Sequence, residues 1–343
     1  MLIYFSIYTL IFFIGLLPQK SYKIFSWIIS FFLCFFIGFR DEIGGDWKDY
    51  IRMYDAIILL PFPLNFLSTD IGYATFNIIS SYFDWGIYGV NFLCAILFVI
   101  GVFKISNVTP NAPLSFLAII PYMGFVVAMG YTRQGAALGI VFWAVSCLLK
   151  NKIKSFIILC LLASLFHFSA VISMTFLIII LRLRSWKTMF FLLFLIPIVF
   201  FAINKIGSRI SIYIGVGEEK VESGGAAIRL GINFIFSILF FIFYKTFKKR
   251  NAFLTKLLLY CCIMSIFLFF ISFKLSTMAD RMGLYFSILQ PLFISYSYNY
   301  IKNDQKIFLN LSAYLFYLIF LYSWFSLSYY ASNFWTPYKN ILL

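Results

Sequence analysis

The sequence is short of charge. Only 11% of its 343 residues are Asp, Glu, Lys or Arg, with 12 acidic residues against 27 basic ones, and it has one histidine. Paired cysteines are missing as well. Cys34, Cys94, Cys147, Cys160, Cys261 and Cys262 all fall inside apolar runs, with no CxxC and no nearby His. That excludes a disulfide framework and a metal site of the zinc type, and reads as buried, inert thiols. No GxxxxGK[ST] loop and no Rossmann fingerprint opens any segment, so no nucleotide-binding domain is expected. Nor is there an internal repeat of the kind that builds inverted-repeat transporters.

What remains is hydrophobic. Such residues make up 63% of the chain, Phe alone contributes 46, and the mean hydropathy is +0.96. This excludes a soluble domain. Runs near bilayer-spanning length recur along the sequence and predict an all-α, polytopic integral membrane protein. The expected spans are Leu2–Leu17, Tyr22–Phe39, Gly86–Phe103, Leu114–Met129, Gln134–Leu149, Ile153–Phe166, Phe168–Leu181, Thr188–Ile203, Leu230–Tyr244, Leu254–Phe273, Gly283–Asn299 and Ile307–Ser323. That is about twelve helices in a single membrane domain, 1–343. The first run lacks a basic n-region and a cleavage site, so it reads as a retained helix.

Charge orients these spans. If the apolar stretch 153–181 is split at His167, one side of the membrane carries sixteen of the 27 basic residues and a single acid, Asp304. The positive-inside rule makes that side cytoplasmic. Without the split, one long helix runs through 153–181 and the asymmetry collapses. The formal net charge of +15 is therefore a topology signal and does not point to nucleic acid. Two sizeable loops, 40–85 and 204–229, then face outward, and the short cytoplasmic loops are merely basic. Chemistry is expected on the outer face.

The first outer loop opens with "FRDEIGGDWKDY", Phe39 to Tyr50, six charges in ten residues. Gly44-Gly45 predicts a turn into a helix from Trp47 to about Leu60, stopping before Pro61-Phe62-Pro63. Asp46 is placed as its N-cap, with Asp49 completing a capping box. Trp47, Ile51, Tyr54 and Ile58 would share one face and Lys48, Arg52 and Asp55 another, as in an interfacial helix. A second interfacial helix is expected from Asp70 to about Phe83. Three more polar points fall on the same side: "GYTRQGAALG" with Arg133-Gln134, "LASLFHFSA" with His167, and "MADRMGLYF" with Asp280-Arg281 at a helix mouth. Arginines that only anchor a helix favour the cytoplasmic side, and these lie opposite. Arg229, Lys205, Arg209, Glu218, Glu219 and Glu222 are weaker members, the acids being placed on a glycine-rich flap.

Together these residues resemble the EpsG-like family of Wzy-type polysaccharide polymerases. "GFRDEIGGDWKDY" resembles its opening Arg–x–x–x–Gly–x–Asp–aromatic–x–x–Tyr pattern, and "TDIGYATFN" the acidic stretch that follows. "YTRQGAALGI", "LASLFHFSAVI" and "DRMGLYF" are similar to its Arg-Gln-x-x-Ala, Phe-His-x-Ser/Thr-Ala and Arg-x-x-x-Tyr elements. Gly44-Gly45 departs from the Val-Gly or Ile-Gly common in the family, and the variable pair Asp41-Glu42 carries no role over. The resemblance implies a glycosyltransferase-C-like membrane enzyme of O-antigen, capsule or exopolysaccharide biosynthesis in a bacterial cytoplasmic (inner) membrane. It implies transfer of a growing glycan from undecaprenyl pyrophosphate to the non-reducing sugar of the next lipid-linked repeat unit, outside the membrane. No nucleotide sugar, cofactor or obligatory metal is implied. The partners would be the undecaprenyl-pyrophosphate-linked oligosaccharide, membrane lipids and a chain-length regulator.

The residues fit that chemistry. Arginine holds phosphate with a planar, permanently charged fork, so Arg133, Arg281, Arg40 and Arg229 are the expected pyrophosphate ligands. Arg40 and Asp46 would also organise the first loop. His167 or Asp46 would take the proton of the acceptor hydroxyl, and Tyr50, Gln134, Tyr285 and Asp70 would meet the sugars. The main alternative is a lipid-linked oligosaccharide flippase, which would place its charges in a central cavity reached from both faces. An acyltransferase would need a donor route on the cytoplasmic face.

Overall fold

The computed structural model describes residues 1–179 and 225–342. Its regular elements are helices: α1 (Leu2–Gly15), α2 (Gln19–Gly38), α3 (Trp47–Leu59), α4 (Leu64–Leu67), α5 (Ile71–Tyr82), α6 (Gly86–Ser106), α7 (Ala112–Ile119), α8 (Thr132–Leu149) and α9 (Ile153–Phe166). Then come α10 (Ala226–Arg250), α11 (Ala252–Ile271), α12 (Ser276–Phe286), α13 (Leu289–Tyr298), α14 (Asn303–Leu327) and α15 (Tyr329–Phe334). A π-helical segment, Ile120–Ala128, continues α7, and a 3-10 segment, Phe168–Ile179, follows α9. Lipid offers the backbone no hydrogen bonds, so local helices are the economical answer for so apolar a chain.

Among the described residues six helices, α2, α6, α8, α10, α11 and α14, are long and apolar enough to cross a membrane. They run from 18 to 25 residues, and about 20 span a bilayer core of roughly 30 Å. The chain is an α-helical membrane protein. The other expected spans differ. Leu2–Gly15, Ala112–Ala128, Ile153–Phe166 and Phe168–Ile179 are apolar but shorter. The run Gly283–Asn299 is broken: α12 starts at Ser276 and ends at Phe286 before α13 begins. Pro291 has no N–H to donate to the carbonyl of Ser287, so it sits in a first turn and not inside a longer helix. Asp280 and Arg281 therefore lie within α12 and not at a helix mouth. The expected span Thr188–Ile203, and Lys205, Arg209, Glu218, Glu219 and Glu222 of the second outer loop, lie outside the described residues.

Two compact units form, 1–170 with 294–343, and 171–293. In the first, α6 packs on α2, α5, α7 and α8. Backbones nearly touch where small residues face each other: a Cβ on Gly101 would lie 1.8 Å from the Gly139 carbonyl oxygen. α8 and α9 form a hairpin. α9 ends at Phe166, and His167 is extended (φ −155, ψ 119), which rules out one helix through 153–181. In the second unit α10 and α11 pair, with α12 against both.

The first outer loop is helical as expected, with two corrections. Asp46 occupies the N-cap position of α3, but its side chain makes no cap bond, so no capping box forms. The buried stripe of α3 is Trp47, Tyr50 and Ile57, while Ile51 and Ile58 are 36% and 41% exposed. Packing against α5 and α6 turns the helix so that Tyr50 faces inward. The second face, with Lys48, Arg52 and Asp55, is exposed as expected.

Candidate active site

The site begins where α2 ends. Arg40 folds back over the last turn and donates from Nη1 to the Ile37 carbonyl (2.6 Å). Its Nη2 reaches Thr132 Oγ1 (2.7 Å) and, more weakly, Asn91 Oδ1 (3.4 Å). The guanidinium stands 5.9 Å from the centre of the Trp47 ring, and the residue is 1% exposed. Burial pulls its pKa down to about 10, so it stays charged at neutral pH. Arg40 thus ties α2, α6 and the start of α8 together with oxygens alone, and Nε is buried without a partner.

Beyond Arg40 the loop is held by the far end of the chain. Asp41 N–H donates to the Lys339 carbonyl, Ile341 N–H to the Phe39 carbonyl, and Gly44 N–H to the Phe334 carbonyl, at 2.9–3.0 Å. Tyr88 donates to Asp41 (2.8 Å), and Lys339 pairs with the exposed Glu42. Lys339 holds the Glu42 carboxyl below its usual value, and Glu42 holds the amine of Lys339 above its own. Gly44 has φ +108, and a Cβ there would sit 3.0 Å from the Met129 carbonyl oxygen. Only glycine suits that combination.

Arg133, in the first turn of α8, donates from Nη1 to Asp70 Oδ2 (3.1 Å) and Thr69 Oγ1 (3.0 Å). Its guanidinium lies 5.9 Å from the ring centres of both Tyr50 and Tyr73, themselves 5.8 Å apart. Arg133 is therefore seated between α3 and α5 on two aromatic faces, a cation–π arrangement. Burial pushes the Tyr50 phenol up, and Arg133 opposes the shift. The next residue, Gln134, is buried.

His167 lies at the same end of the α8–α9 hairpin as Arg133, next to α5: a Cβ on Gly72 would lie 2.9 Å from the Phe166 ring. Its Nδ1 is 2.6 Å from Ser169 Oγ and accepts the Ser169 backbone N–H at 3.3 Å. A backbone N–H can only donate, so the neutral ring in this arrangement carries its proton on Nε2 and its basic nitrogen faces Ser169. Asp46 is half-buried ahead of α3. Tyr50 and Asp70 join Arg133; Asp46 and His167 lie on neighbouring elements of the same unit.

In the second unit, Arg229 grips Asp280 with two bonds, Nε to Oδ1 (2.9 Å) and Nη2 to Oδ2 (2.5 Å). This fork is already filled by a carboxylate. Arg281 is half-buried on the next position, about 100° round α12. Tyr285 is fully buried. Below the ion pair, Gln290 donates to Asn233 Oδ1 (2.6 Å), and Asn233 donates to Ser287 Oγ (3.0 Å). The sequence reading missed Asn91, Thr132, Asn233 and Gln290. The spacing of Arg229, Asn233 and Ser237, four apart in an apolar run, was a signal that could have found the last network.

The sequence model of the EpsG family matches residues 23–340. No curated protein and no solved structure matches the chain.

Proposed function

The chain belongs to the EpsG family, and from that premise we propose that it is a polysaccharide polymerase of the Wzy type. The match over residues 23–340 carries this reading, because it takes in every polar point of the chain. The donor is a glycan on undecaprenyl pyrophosphate and the acceptor is the non-reducing sugar of the next lipid-linked unit. The acceptor oxygen attacks the anomeric carbon, the sugar–phosphate bond breaks, and undecaprenyl pyrophosphate leaves. The acceptor proton passes to a base.

Arg133 is assigned to the pyrophosphate. Its position on Tyr50 and Tyr73 supports this, since a guanidinium fixed before the reaction stabilises leaving-group charge without reorganising. Arg281 is assigned the same role in the second unit. Arg229 enters only if Asp280 releases it, and Arg40 organises the loop through Thr132 and Asn91. Tyr50, Gln134, Tyr285 and Asp70 are proposed on the sugar side. Asp46 is the direct candidate for the base, and His167 would take a proton by way of Ser169 Oγ. We place the enzyme in the bacterial cytoplasmic membrane with about twelve helices, a glycosyltransferase-C-like architecture and the site outward, working with a chain-length regulator.

The test is reconstitution with synthetic lipid-linked repeat units and no nucleotide. A ladder of products supports the reading. Transfer across the bilayer without elongation would replace it with a flippase. Arg133→Ala and Arg281→Ala should each leave single-repeat product only, and a normal chain length in His167→Ala would assign the base to Asp46.

A further inference from the structure

Trp335 carries contacts that the roles above leave unused. It is 3% exposed and firmly held: Tyr4 of α1 donates to its carbonyl (3.0 Å), and the Trp324 ring of α14 meets it edge-on at 5.1 Å. From that fixed position it acts on two places. Its indole N–H donates to the Phe125 carbonyl (2.7 Å) of the π-helical segment. Its ring fills the space beside Gly130, where a Cβ would lie 2.7 Å from ring carbons. Gly130 stands three residues before Arg133, and Met129-Gly130 back the left-handed Gly44. The residue before it, Phe334, accepts the Gly44 N–H at 2.9 Å.

We infer that Trp335 is a positioning residue, setting the chain break that presents Arg133 and the turn that presents Asp46. The physical reason is that neither segment can hold its own course. The π-helical segment ends at Ala128, two residues before Gly130, and the Arg40–Asp46 turn passes through two residues with positive φ, Glu42 and Gly44. A rigid aromatic against Gly130, whose backbone in turn backs Gly44, removes that freedom, and a misplacement of about 1 Å at a reacting group costs on the order of a hundredfold in rate. The inference rests on the polymerase reading for the meaning of Arg133 and Asp46, but the contacts do not depend on it.

Trp335→Phe removes the single donor and keeps a ring; Trp335→Ala removes both. With lipid-linked repeat units, Trp335→Phe should lower kcat about tenfold or more and leave KM within about threefold, because the leaving-group contact is felt in the transition state. Trp335→Ala should fall further. Hydrogen exchange read in parallel should quicken in peptides covering 126–134 and 40–47 and stay unchanged over 252–271. Unchanged kcat in Trp335→Phe, a rise in KM alone, or exchange that quickens everywhere or nowhere overturns the inference. If the unaltered protein makes no ladder, the polymerase reading falls by itself, and exchange still decides whether Trp335 positions these two segments.

Discussion

Asp70→Asn removes the charge from the carboxylate that Arg133 holds at 3.1 Å while keeping its shape. Two quantities should then move in opposite directions. The pair is neither exposed nor sealed, its side chains being 23% and 16% accessible. Surface pairs contribute at most about 1 kcal/mol, and breaking a fully buried one costs about 3–5, so a loss of about 1–3 kcal/mol is expected. Thermal or denaturant unfolding in micelles reads it. Affinity for undecaprenyl pyrophosphate should rise. A phosphate seated on Arg133 would lie roughly 5 Å from the Asp70 charge, a repulsion of about 3 kcal/mol at an effective dielectric of 20. Salt and water reduce this to about 1–2 kcal/mol, or about five- to thirtyfold tighter binding by titration calorimetry. Unchanged affinity would refute the placement of phosphate on Arg133. Weaker affinity for the glycan-bearing lipid would in turn support Asp70 on the sugar side, as proposed above.

Arg229→Met and Asp280→Asn should each cost about 3 kcal/mol in unfolding experiments, because each takes one partner from a largely buried ion pair. Combined, they should cost less than the sum. Gly139→Ala should destabilise by about 1–3 kcal/mol or prevent folding, since its Cβ would lie 2.3 Å from the Phe98 Cα; Gly231→Ala, with nothing nearer than 3.7 Å, should be near neutral in the same assay. The Glu42–Lys339 pair makes a small contribution at neutral pH that salt screens. It is lost as the pH falls through the lowered value of Glu42, and again as the pH rises through the raised value of Lys339. The protection of the 39–42 amides, with the intrinsic pH dependence of exchange divided out, should therefore fall only as the pH drops below the ordinary glutamate range and stay constant through neutral pH.

Helices were legible because lipid forces the backbone to satisfy itself locally, and the apolar runs say where. α9 was read to the residue, its end at His167 included, and α3 to within one residue at its end. The polar points were legible because charge in such a chain is rare and needs a reason. Their partners were not. Asp280 read as a neighbour of Arg281, yet it belongs to Arg229, 51 residues away. Asp46 read as a cap, yet its carboxylate makes no cap bond. The stretch 334–341 carried no signal in the sequence, yet it pairs with Phe39, Asp41 and Gly44 some 300 residues earlier. The sequence by itself determined an α-helical membrane protein, its family and the residues that carry charge. Tertiary structure decided which partner each of those charges meets. Arg40, Arg229 and Arg133 are all held by other side chains, Arg133 by Asp70 and Thr69 on two aromatic rings, because hydrogen-bond partners are set by which helix faces meet in space and not by spacing along the chain.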